Sequence, residues 1–417
     1  MVPLLDLQPS LKNSLFEACI SRIVRGFSRM EALVEESCAF ERGFAKVTRF
    51  LQGWDIRLKR CRPVQNILGD ARLRLPSGID PKLSQMGSWP GFFGLFERGL
   101  TPTMSQQVFQ CDPDVFAKNF NRMPHEVQHT MAANPLFQLP ALAQLAQRVA
   151  MREHPHHPHG DIHIDQKGAD AKTRFDVHDR SKTDVGELVR EIEKGQTWVI
   201  LKHIEREPGY REIFENCICD ILELTGRNIL KDIKWFEAIL FITSPNRVTE
   251  YHIDRECSWL FQIHGNKDIH FFDRSDKDVL PDEELERYWT VNNLATTYKP
   301  QFESRAIVFP MRPGTGVHSP VNTPHWLQNG DNVSVSLNIN FQFHERVWEN
   351  LFRANHYLRR AGVTPASPGR HPFADDVKRQ AYTAVQDICR GLKGQPRVPA
   401  TEARKYYYEI VDLLASR

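Results

Sequence analysis

His252 and Asp254 stand two residues apart in the stretch Val248–Phe272. On a strand, residues two apart leave the same face, so an imidazole and a carboxylate at this spacing can grip one cation together. The apolar run Trp259–Ile263 then meets Gly265-Asn266, a hairpin-turn signal, and Lys267 opens the returning strand. A nitrogen ligand, a carboxylate and a fixed cation nearby suit a metal that also holds an anionic co-substrate. A third ligand is available in His325, which follows a Pro-rich turn at the mouth of the strand 333–343. Two histidines and one carboxylate make the facial set of non-haem Fe(II) chemistry, leaving three metal positions open for a bidentate co-substrate and O2. His318, seven residues before His325, is the rival third ligand, and His264, three residues before Lys267, reads as a barrel-wall residue. Lys267 is more than a surface lysine: a cation placed among barrel residues needs a buried anion to offset its desolvation.

The elements that must position these groups are mostly strands. Val333, Val335, Leu337, Ile339, Phe341 and Phe343 alternate with Ser334, Ser336, Asn338, Asn340 and Gln342, a period-2 pattern with one apolar and one polar face. Uncharged Ser and Asn suit the inside of a ligand-holding barrel better than a solvent face. Upstream, Asp184 with Glu187 starts a helix that Gly195 ends; Thr197–Ile204 reads as a strand, Tyr210–Leu224 as a helix stopped by Gly226, and Phe236–Thr243 as a buried strand. At least six strands with hairpin signals favour an α+β chain built on a double-stranded β-helix, a jelly-roll barrel, over a parallel sheet. Residues 274–305 read as a charged insertion between barrel strands, where such folds carry substrate loops.

These residues resemble a known family, the JmjC/cupin-like Fe(II)/2-oxoglutarate-dependent dioxygenases. Relatives such as the asparaginyl hydroxylase of hypoxia-inducible factor carry Thr three residues before the first His and Lys fifteen after it; Thr249 and Lys267 stand at those offsets, and Gln262–Lys267 resembles the family's turn. The family's distal His lies eleven residues after a Gly and five after a Pro, as His325 does after Gly314 and Pro320. The resemblance implies Fe(II) ligands His252, Asp254 and His325, with Thr249 and Lys267 on the far carboxylate of 2-oxoglutarate and Asn338 near the co-substrate. It implies oxidation of a C–H bond by O2, with release of succinate and CO2, on a protein, peptide or small natural product. Similarity is good over roughly 184–345 and looser over 106–150, whose Phe-Asn-Arg-Met-Pro and Pro-Leu-Phe-Gln-Leu-Pro runs resemble bacterial members; residues 1–105 match no pattern. A non-catalytic cupin-type binding or regulatory module is the alternative, and an intact set of five site residues argues against it.

A chain of 417 residues suggests two or three domains. The expected division is a helical N-terminal region 1–105, a helical segment and His-rich linker 106–183, the barrel 184–345, and C-terminal helices 346–417. Residues 10–60 read as helical, and the Gly- and Pro-rich stretch 68–104 as a connector whose aromatics pack on a neighbour or form a substrate-facing lid. The stretch 154–165 contains two further His-x-Asp pairs, but His163 has Gly160 three before it and His178 fifteen after, so a loop is expected there. Val347, Trp348, Leu351, Phe352 and Leu358 stripe one C-terminal helix; 374–392 and 401–416 form two more. Family relatives dimerise through such helices, and covering the barrel is the equal alternative. A formal charge of +2 predicts no polyanion-binding surface, and the Arg57–Arg62 cluster reads as a solvated helix face. Eight cysteines without a Cys-x-x-Cys pair fit a reduced, cytoplasmic protein, and no apolar run approaches eighteen residues, so no membrane partner is expected.

Overall fold

The computed structural model describes residues 107–152, 161–165, 184–226, 229, 232–291, 296–343 and 346–392. The readings for 1–105, for the histidines at 154–159 and for a helix at 401–416 lie outside the described residues. Contacts divide the chain into two units, whose described parts are 107–288 with 296–343, and 289–291 with 346–392.

In the larger unit the chain runs β1 (Phe109–Gln110), α1 (Pro113–Asn119), β2 (His125–His129), α2 (Leu139–Arg152), β3 (Ile162–Asp165), α3 (Val185–Arg190), β4 (Trp198–Leu201), α4 (Tyr210–Thr225) and β5 (Ile233–Thr243). It continues through β6 (Val248–His252), β7 (Cys257–His264), β8 (Lys267–Phe271), α5 (Asp282–Thr290, whose last two residues are assigned to the smaller unit), β9 (Ile307–Met311), β10 (Thr315–Ser319), β11 (His325–Asn329) and β12 (Ser334–Phe343). All described strand pairs are antiparallel. They form an eight-stranded sheet in the order β1-β2-β10-β7-β12-β5-β4-β3 and a four-stranded sheet in the order β6-β11-β8-β9. From β5 to β8 the chain changes sheet at every strand, and it does so again from β9 to β12.

The alternation along β12 decides which face of the large sheet is which. Val335, Leu337, Ile339 and Phe341 join Phe236, Ala238, Leu240 and Ile242 of β5 and Trp259 and Phe261 of β7 in the main core, under apolar residues of α2 and α4. Each fully buried side chain of this size contributes about 1.5–3 kcal/mol. The opposite face carries Ser334, Ser336, Asn338 and Asn340, also buried, and looks into the interior of the unit.

The turn at Gly265-Asn266 does not make a hairpin. β7 pairs with β10 and β12, whereas β8 pairs with β11 and β9, so the two residues carry the chain from the large sheet to the small one. Gly265 has φ +72°, and a Cβ there would lie 2.1 Å from the Val333 carbonyl oxygen, so only glycine fits. Asn266 N–H donates to Asn332 Oδ1 (2.9 Å) and its carbonyl accepts from Gly330 N–H (2.8 Å). Lys267 therefore leaves a corner tied to the β11–β12 loop.

Residues 106–183, read as helical with a linker, also hold strands β1, β2 and β3, each of which extends the large sheet. Too few apolar residues alternate in His125–His129 or Ile162–Asp165 to give a period. The helix start at Asp184 is present: its carboxylate accepts from Glu187 N–H at 3.0 Å. In the smaller unit α6 (Arg346–Arg360) packs on α7 (Pro372–Leu392); Leu351, Phe352 and Leu358 are buried, while Trp348, read as part of the same stripe, is 40% exposed. Among the described residues no helix is long and apolar enough to cross a membrane.

Candidate metal centre

β6 and β11 are neighbours, and their register sets His252 directly beside His325. Between that pair and the next, Thr249 opposite Leu327, β6 advances three residues while β11 advances two. This bulge matters, because on a regular strand Thr249 and His252, an odd number apart, would face opposite ways. Here both line one cavity. Asp254 lies just past the end of β6, and its carbonyl accepts from Asn322 N–H (2.8 Å), which ties it to the loop before His325.

The ligand atoms of His252, Asp254 and His325 all lie within 4.8 Å of one another, and among the described residues this is the one such group of three. Asp254 Oδ2 is 3.7 Å from Nε2 of His252 and 3.7 Å from Nε2 of His325. Those separations exceed a hydrogen bond, so the three groups surround a gap rather than bond to each other. His252 Nδ1–H donates to the Glu250 carbonyl (2.6 Å) and His325 Nδ1–H to the Thr323 carbonyl (2.9 Å). In neutral imidazoles those bonds place the lone pair on Nε2, facing the carboxylate. Burial, and then the neighbouring His252, push His325 down to about 4, so it is neutral at physiological pH. Two imidazole Nε2 atoms and a carboxylate oxygen converging on one point form a donor set that fits a divalent transition metal.

The cavity has a volume of about 580 Å³. Lys267 lines it, buried, and among the described residues no acceptor reaches its ammonium group; burial alone pushes it down to about 7. Lys267 pairs with Asn329, four residues beyond His325 on β11. That is roughly 13 Å along the strand, a span that a lysine side chain and a short dicarboxylate bridge together. Thr249 and Asn338 line the same cavity; Asn338 Nδ2–H donates to Asn340 Oδ1 (2.8 Å).

His318 is not part of this group. It is fully buried in β10, its Nε2 accepts from Asn121 N–H (2.9 Å) and its Nδ1–H donates to the Ser258 carbonyl (2.9 Å), which makes it a satisfied core residue. His264 is exposed at the end of β7 rather than in a barrel wall. His163 and Asp165 lie on strand β3, not in a loop, and Asp165 is bound 2.6 Å from Arg247, both buried. Sequence reading missed Trp235, Glu237, Glu256 and Tyr288, which also line the cavity. The signal was present only in part: Glu237 is a charged residue within the mostly apolar run Trp235–Ile242. Burial, then Asp254 and Glu237, push Glu256 up to about 8.

No protein-family model and no curated protein matches the chain. Among solved structures it is similar to YcfD, a ribosomal oxygenase from Escherichia coli in complex with cobalt and 2-oxoglutarate. That likeness has 15% identity over 72% of this chain and 70% of that one, with a TM-score of 0.39. The same protein with cobalt and succinic acid aligns at 14% identity over 72% and 70%, TM-score 0.36. An oxalate decarboxylase formate complex from Lactobacillus farciminis aligns at 16% identity over 26% and 24%, TM-score 0.18. At such identities and TM-scores the functional reading is left to the side chains themselves.

Proposed function

We propose that this protein is an Fe(II)- and 2-oxoglutarate-dependent oxygenase built on a double-stranded β-helix. The repeated passage of the chain between two antiparallel sheets supports the fold. The observation that carries the function is the convergence of His252 Nε2, His325 Nε2 and an Asp254 oxygen, with a buried Lys267 in the same cavity whose ammonium meets no acceptor among the described residues. A metal answers the first feature and a dicarboxylate the second.

His252, Asp254 and His325 hold the metal; the carbonyls of Glu250 and Thr323 fix the two rings and their tautomers. Lys267 neutralises the far carboxylate of 2-oxoglutarate, with the Thr249 hydroxyl as a second donor. Tyr251, Phe272 and Phe302 pack together in a buried cluster beside β6 and β8. When bound, iron and 2-oxoglutarate supply oxidation of a substrate C–H by O2, coupled to release of succinate and CO2. The substrate is a protein or peptide side chain or a small natural product, and hydroxylation is the outcome.

Equilibrium metal binding tests this reading. The wild-type chain should take up one Fe(II) or Mn(II) under anaerobic conditions, and Asp254→Ala should take up none. Undiminished binding by Asp254→Ala would remove the metal assignment.

A further inference from the structure

The chain closes a turn just before His325, and that turn serves two of the three converging ligands. Thr323 N–H donates to the Pro320 carbonyl (3.2 Å), and Asn322, third in the turn, sits at φ +59°, where Asn is tolerated. From that conformation Asn322 N–H donates to the Asp254 carbonyl (2.8 Å), and the Thr323 carbonyl accepts from His325 Nδ1–H (2.9 Å). His252 and His325 lie on paired strands, whereas Asp254 stands past the end of β6 with its side chain 36% exposed. The place of its carboxylate therefore depends on where the turn is held.

Two side chains from distant parts of the sequence hold it. Asn121, between α1 and β2, has φ +49°, and its Oδ1 accepts from Val321 N–H (3.0 Å). Arg274, shortly after β8, donates from Nη1 to the Val321 carbonyl (2.5 Å) and from Nη2 to the Asn121 carbonyl (2.8 Å). Both polar groups of Val321 are thus taken by side chains, as a neighbouring strand would take them. The planar guanidinium reaches two carbonyls at once, which a lysine cannot do in the same fixed geometry. Asn121, Arg274 and Val321 all lie outside strands and helices, so these bonds set the place of a loop rather than the packing of a sheet. Neither Asn121 nor Arg274 is one of the three ligands, and neither lines the cavity.

We propose that Arg274 and Asn121 are positioning residues of the metal centre. By holding the turn at 320–323 they fix Asp254 through Asn322 and the His325 ring through Thr323, and so set metal affinity without touching the metal. The inference rests on the reading of His252, Asp254 and His325 as ligands. It gives a task to the asparagine of the Phe-Asn-Arg-Met-Pro run and to the first residue of the charged stretch 274–305.

The test compares the full wild-type chain with Arg274→Met, Asn121→Gly and Asn121→Asp. Glycine removes the acceptor and is at ease with φ +49°; aspartate keeps an acceptor oxygen there and should rescue what glycine loses. Two quantities are measured: hydrogen exchange of the Asn322 amide in the metal-free protein, by NMR, and anaerobic Mn(II) binding, by EPR. Arg274→Met and Asn121→Gly should speed the exchange and weaken Mn(II) binding by about tenfold. Asn121→Asp should match the wild type in both. Unchanged exchange, lowered urea stability with unchanged Mn(II) affinity, or an Asn121→Asp variant as impaired as Asn121→Gly would overturn the proposal. The two disrupting variants lie in separate segments, so either one decides if the other fails to fold. A wild-type chain that binds no Mn(II) overturns the ligand assignment and this proposal with it; wild-type binding that both disrupting variants match overturns this proposal alone.

Discussion

Lys267→Met removes the ammonium group at the start of β8 while keeping most of its buried aliphatic volume. In the wild-type chain burial holds Lys267 down to about 7, with no partner among the described residues. A 2-oxoglutarate carboxylate docked there gains its counter-ion from this residue. Leaving one member of such a buried pair alone costs about 3–5 kcal/mol, which is roughly two to three and a half orders of magnitude in affinity. Metal affinity should stay the same, since the triad lies far along β11 from this position. The pH dependence has a definite sign. Below about 7 the lysine is already charged in the free protein, and binding needs no proton. Above it, binding must take up a proton, so wild-type affinity should fall by up to about tenfold per pH unit. Calorimetric titration of 2-oxoglutarate into the anaerobic Mn(II)-loaded protein, repeated from about pH 6 to about pH 9, measures both effects. Affinity in Lys267→Met within about threefold of wild type, or a wild-type affinity that is flat with pH, would refute the reasoning.

His252→Ala and Asp254→Ala should each abolish Fe(II)-dependent formation of succinate from 2-oxoglutarate, measured by chromatography, because each removes one of three converging donors. Thr249→Val should weaken 2-oxoglutarate binding by about tenfold, less than Lys267→Met, in the same titration. Gly265→Ala should destabilise the fold by several kcal/mol, on the order of 3, in urea denaturation, since its φ is +72° and the new Cβ would strike the Val333 carbonyl.

Much of the site was legible because its residues are close in sequence or follow a strand period. The spacing of His252 and Asp254, the alternation along β12 and the position of Lys267 after a turn are local patterns, and the folded chain brings all of these side chains to one cavity. Three features were not legible, for physical reasons. The bulge on β6 adds a residue without changing composition, yet it alone lets Thr249 and His252 face the same way. Gly265-Asn266 reads as a hairpin, and only pairing with distant β10 and β12 reveals that the chain changes sheet there. His125–His129 joins the large sheet through β10, nearly two hundred residues away, with little apolar alternation of its own. Glu237 and Glu256, which also line the cavity, went unread because a single glutamate in a strand pattern carries no partner spacing.

The central claim is that His252, Asp254 and His325 together hold a metal that chelates 2-oxoglutarate. Anaerobic addition of Fe(II) and then 2-oxoglutarate should produce the weak visible metal-to-ligand charge-transfer band of that chelate in the wild-type protein and in His318→Ala, and none in His325→Ala. A wild-type protein without the band, or a band that survives in His325→Ala and disappears in His318→Ala, would contradict the account.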